Sequence, residues 1–93
     1  MSSPTYVKDP GAVLDYGFDW SEKGWLATGE SISESSWTVP EGLTKDSDTN
    51  DDTTTTVWLS GGTAGENYEV VNHILTSTDR EDDRTLIIKV RNR

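Results

Sequence analysis

The chain has 93 residues, 31% of them hydrophobic, no cysteine, and a formal net charge of -9. A chain this short buries roughly two-thirds of the surface it exposes when unfolded, so it has room for one domain and one modest core. The acidity argues against a nucleic-acid partner, because phosphates demand a concentrated positive surface, and the lack of cysteine excludes a disulfide framework, a thiolate metal site and a thiol nucleophile.

Residues 1–10 are polar, carry Pro4 and Pro10, and show no strand pattern. They read as an extended N-terminal arm, free to reach a neighbouring subunit, with residues 11–93 as the folded domain. The start has no basic region followed by an apolar run, and nowhere do eighteen apolar residues follow one another. Neither a signal peptide nor a membrane helix is therefore expected.

Along 12–20, Ala12, Leu14, Tyr16, Phe18 and Trp20 alternate with Val13, Asp15, Gly17 and Asp19. This is a half-buried strand with its aromatic side inward. A turn over 21–24 leads to Trp25 and Leu26, which return to the core. Residues 32–39 form a second strand, in which Ile32 is out of phase with Trp37 and Val39, so the spacing predicts one bulge between them.

Leu43 to Ser47 suggests a short strand that runs into an Asp- and Asn-rich tip, and 53–60 brings the chain back through β-branched residues as a hairpin. Residues 68–77 and 84–91 give two more strands, joined through 79–83. Six strands with turns every eight to twelve residues suggest an all-β, immunoglobulin-like β-sandwich of about six to seven strands. The segment 59–70 resembles the corner before the penultimate strand of such domains, where a tyrosine hydroxyl, here that of Tyr68, bonds back to the loop backbone. On that phase Tyr68, Val70, Asn72 and Ile74 face inward with Leu86, Ile88 and Val90.

The chemistry-bearing candidates are few. The tip 46–52 offers alternate oxygen ligands, but a calcium loop needs Gly at its sixth position and Glu at its twelfth, where this chain has Asp51 and Val57. It reads as a solvated hairpin tip, and no metal or cofactor is expected. His73 is the sole histidine, with no second ligand or nucleophile beside it in the pattern, and Asp15 and Asp19 lie on the polar side of their strand with nothing to mark a cleft. An enzyme is not expected.

The informative residues are outward and apolar. Trp58 lies between inward Val57 and Leu59, and Val71, Leu75 and Ile87 face away from the core, so the four suggest one apolar association patch. Residues 1–83 hold seventeen acids against four bases, -13, whereas 84–93 hold Arg84, Lys89, Arg91 and Arg93, +4. These bases either protect an edge strand or serve an interface. The expected interface set is Trp58, Val71, Leu75, Ile87, Lys89, Arg91 and Arg93. A carbohydrate-binding module using exposed Trp58 is the alternative of a different class.

The stretch 8–16 (KDPGAVLDY), the pairs Asp19-Trp20 and Trp25-Leu26, the segments 37–40 (WTVP) and 42–44 (GLT), the run 57–65 (VWLSGGTAG) and the close 83–86 (DRTL) with Val90-Arg91 resemble small tailed-phage and prophage fibre-tail adaptors. The resemblance spans 8–92 and carries no catalytic residues. It implies an immunoglobulin-like structural protein of the virion, made in the bacterial cytoplasm. Such a protein would bind tail, neck or fibre subunits in symmetric copies, with capsid decoration as the alternative placement. The spacing of Trp20 to Trp25 and the acidic run Glu81-Asp82-Asp83 depart from the pattern.

Overall fold

A computed structural model describes residues 4–21 and 25–92. Among the described residues seven strands account for the fold: β1 (Thr5–Lys8), β2 (Leu14–Asp19), β3 (Ile32–Thr38), β4 (Leu43–Asn50), β5 (Thr54–Gly61), β6 (Asn67–Thr76) and β7 (Glu81–Val90). They form a four-stranded sheet in the order β1-β7-β6-β3 and a three-stranded sheet in the order β2-β5-β4. All pairings are antiparallel except β1 with β7. The alternation read from the sequence builds most of this arrangement: β3, β5, β6 and β7 offer buried apolar residues on one side, and the two sheets close on each other as an immunoglobulin-like sandwich.

The core divides along the long axis. At one end Trp37, Leu43, Val57, Leu59, Tyr68, Val70, Leu86, Ile88 and Val90 pack together. Each such side chain, moved from water to the interior, contributes about 1.5–3 kcal/mol. At the other end Trp20, Ile32 and Ile74 form a smaller cluster, which Phe18, Trp25 and Leu26 cover. Inward Tyr68, Val70, Asn72 and Ile74 are buried as the pattern requires, and so are Leu86, Ile88 and Val90.

The expected bulge lies between Ile32 and Glu34, where the register of β3 against β6 shifts. The expected corner is also present: the Thr63 backbone N–H donates to the Tyr68 hydroxyl at 3.0 Å. Gly62, at φ 97°, turns the chain beside it, and a Cβ there would lie 2.7 Å from Val90. No other residue type fits that turn without moving the core.

Three expectations change. Residues 5–8, which were read as part of an extended arm, are a strand: the Ile87 N–H donates to the Pro4 carbonyl at 2.9 Å and the Arg91 N–H to the Lys8 carbonyl at 3.0 Å. The sequence hides this because four residues are too few to show alternation and the buried one is a lysine. Lys8 is fully buried, and its Nζ donates to the carbonyls of Gly61 at 2.7 Å and Asp9 at 2.9 Å. Burial pulls its pKa down, against the pull of Asp9 and Asp46 upward.

Second, β4 runs to Asn50 instead of stopping at Ser47, because pairing with β5 outweighs the poor strand propensity of Asp and Asn. The tip itself is a turn in which the Asp51 carboxylate accepts from the N–H groups of Thr53 and Thr54 at 2.9 and 2.7 Å. Those bonds hold its pKa below the usual carboxylate value. Third, β7 begins at Glu81, so the acidic run 81–83 lies in a strand and the connection to β6 is a tight turn over 77–80, with Asp79 at φ 65°. Asp accepts that left-handed conformation more readily than most residues.

Candidate protein interface

The interface candidates occupy both outer faces of the sandwich. On the four-stranded sheet, Val71, Leu75 and Ile87 point outward and are half-buried by their neighbours. Val71 lies between Thr38 and Thr85, and Ile87 between Thr5 and Glu69. Val7, paired with Lys89, lies diagonal to Ile87, and Ile87 is diagonal to Val71. An aliphatic line therefore crosses three strands, and Val7, at 45% exposure, extends it beyond the residues expected from the sequence.

Farther along β6 the same face becomes acidic. Leu75 pairs with Glu34 on one side and Glu81 on the other. His73 sits between two carboxylates, its Nδ1 2.5 Å from Asp83 and its Nε2 2.9 Å from Glu81. Both ring nitrogens can donate only when the imidazole is protonated, and the bonds to Asp83 first and Glu81 second raise the His73 pKa above its ordinary value. An open depression of about 410 Å³ lies here, with Glu34, Ser36, His73 and Leu75 among its walls.

Trp58 does not join this patch. It is on β5, in the middle of the three-stranded sheet, and faces outward at 40% exposure on the opposite side of the molecule. One sequence cannot reveal which sheet each outward residue belongs to, so four apolar positions read as one patch are two surfaces. Around Trp58 lie Asp15 of β2 and Ser47 of β4, its register partners. The rest of the outward side of β5 is Thr54, Thr56 and Ser60.

The basic residues separate as well. β7 is not an edge, because β1 covers it, so its bases do not protect a free edge. The Arg84 guanidinium lies 4.1 Å over the Trp20 ring, and the Arg91 side chain bonds the Val90 carbonyl at 2.7 Å and Asn67 at 3.1 Å. Lys89 is exposed on the aliphatic face beside Val7. Arg93 lies outside the described residues.

Two polar clusters keep these faces rigid. Asn72 is fully buried and uses its whole amide: Oδ1 accepts from Trp20 Nε1 at 3.0 Å and Thr55 Oγ1 at 2.7 Å, while Nδ2 donates to Ser35 Oγ and the Ser36 carbonyl at 3.0 Å each. It thereby ties the two sheets together. Glu30 accepts from Arg80, Thr76, Thr78 and the Ala27 N–H, which holds its carboxyl far below the usual range. Arg80 also stacks 4.4 Å over Trp25 and donates to its carbonyl at 2.7 Å, pinning the connection between β2 and β3.

What the molecule presents outward is thus two faces of different chemistry on a rigid sandwich, a form suited to binding. No curated protein matches the chain. The family model described as podophage GP4 fiber-tail adaptor protein gp77 matches residues 8–89, nearly the whole folded domain, and the chain belongs to that family of fibre-tail adaptors.

Proposed function

We propose that this protein is a virion structural component that joins the tail or neck of a phage particle to its fibres through protein-protein contacts, in symmetric copies, and that it performs no chemistry. The observation that carries the reading is the aliphatic line of Val7, Ile87 and Val71 on the outer face of the four-stranded sheet, with Leu75 farther along β6. Residues that a monomer would cover or replace by polar groups lie there on a sheet buried on its other side. Lys89 beside Val7 adds a charge that fixes register more than affinity.

The contact surface on this reading is Val71, Leu75, Ile87 and Lys89, with Arg91 at its border and Trp58 serving a separate contact. A near-atomic map of the assembled particle, with copies counted, tests it. A ring of copies between tail or neck and fibres supports the adaptor role. Copies spread over the capsid shell would replace it with a decoration role. Val71→Asp places a charge in the middle of the line and should yield particles that lack fibres.

A further inference from the structure

Trp58 is the one large apolar group on the outer side of β5, among Thr54, Thr56 and Ser60. Acids lie on both sides of it. Asp15 on β2 is its direct register partner. On β4, Asp46 bulges out of register next to Ser47 and accepts from Ser60 Oγ at 3.0 Å, so its carboxylate is on the same outer face. Lys45, register partner of inward Leu59, is tied to Asp48 at 2.6 Å, and Asp46 is also attracted to the buried Lys8 ammonium. Gly17, two residues along β2 from Asp15, carries no side chain, and a Cβ there would lie 2.1 Å from the Thr55 carbonyl oxygen.

The same chain shows what this arrangement binds. Trp20 and Trp25 are each covered by an arginine, Arg84 at 4.1 Å and Arg80 at 4.4 Å, and Arg80 is paired at the same time with the Glu30 carboxylate. An arginine plane stacked on indole with a carboxylate at its edge satisfies the guanidinium's π-face and its N–H fork together. Among the described residues Trp58 has carboxylates beside it and no arginine over it.

We propose that the Trp58 face docks an arginine side chain presented by a basic virion protein, with the guanidinium over the indole and its N–H groups directed at Asp15 and Asp46. The inference rests on the adaptor reading for the kind of partner. Charge decides between a different protein and a second copy: at a net charge of -9 copies repel one another, whereas a basic surface is attracted over a Debye length of about 10 Å.

The test is an array of overlapping peptides that spans the other structural proteins of the same particle, probed with the full chain at low and high salt. Arginine-bearing peptides should bind, and binding should weaken with salt. Trp58→Ala should lower it about tenfold, as expected of a desolvated cation-π contact. Replacing the peptide arginine by lysine should weaken it as well. Asp15→Lys, an exposed change that leaves the core intact, should remove the salt-sensitive part.

Arginine-free peptides whose binding Trp58→Ala abolishes, an unchanged signal of the arginine-bearing peptides for Trp58→Ala, or no binding at all would overturn the inference. So would concentration-dependent dimerisation through Trp58, or a hit on a glycan array lost in Trp58→Ala. These results are independent of the particle map: a ring at the tail with a silent array removes the arginine site alone, and copies elsewhere remove the adaptor reading.

Discussion

The two ends of the sandwich are held by different physics. At the Tyr68 end nine buried hydrophobic residues interlock; Lys8 and the Tyr68 hydroxyl meet backbone partners there, while the buried Trp37 Nε1 N–H has no hydrogen-bond partner among the described residues. At the Trp20 end three buried hydrophobic residues are supplemented by Asn72, Thr55, Thr76 and Glu30, all buried and hydrogen-bonded. A thin apolar core can thus be extended along the molecule by polar groups, provided that each is satisfied. A partly satisfied network is worse than none, because an unpaired buried group loses its full hydration.

That difference predicts where a single change does most harm. Asn72→Ala removes four hydrogen bonds at once and strands the Trp20 indole N–H, the Thr55 hydroxyl and the Ser36 carbonyl, in addition to leaving a void. It should cost about 2–4 kcal/mol, read from the midpoint of urea unfolding. A loss under about 1 kcal/mol would mean that water enters and replaces the amide, and that this end is less dry than the Tyr68 end.

The apolar end was legible in the sequence and the polar end was not. Alternation in 68–77 gives the inward residues directly, alternation in 12–20 gives Tyr16, Phe18 and Trp20 but also Leu14, which is exposed at 39%, and the phase slip between Ile32 and Trp37 gives the bulge. Tyr68 could be placed at its corner because the surrounding segment has a local signature. Asn72 could be placed inward by phase, but its partners lie 17, 36, 37 and 52 residues away, and no local pattern reports such pairs. The same limit applies to the outer faces: Val71, Leu75, Ile87 and Trp58 were recognisable as outward, yet only the sheet order separates Trp58 from the others. Val7 was missed because β1 is held by pairing with β7 and by a buried lysine, neither of which leaves a periodic trace.

The corner offers a smaller and cleaner change. Tyr68→Phe keeps the ring in the apolar cluster and removes only the hydroxyl that accepts from Thr63 N–H. A single neutral hydrogen bond contributes about 1 kcal/mol, so unfolding should shift by that amount with an unchanged denaturant slope. A much larger loss would show that the loop 62–66 is organised by this bond and not by Gly62 and the packing of Val90.

The smallest effect lies on the surface of the polar end and depends on pH. His73 has its pKa raised by Asp83 and Glu81, so the folded state binds the proton more tightly than the unfolded chain, whose histidine titrates near 6.5. The stabilisation is fully present below that value and is lost as pH rises through the higher folded pKa. The side chain is 44% exposed, so screening keeps the contribution under about 1 kcal/mol. Unfolding followed from about pH 6 to about pH 8 should therefore show a slight fall in stability that is absent in His73→Gln. Glu30 stays ionised across that range because Arg80 and its hydroxyl partners hold its carboxyl far lower, so it adds no slope of its own. A rise in stability over the same interval would mean that the folded chain binds this proton less tightly than the unfolded one, so that desolvation of the imidazole outweighs Asp83 and Glu81 and the acidic end of this face is not organised by His73.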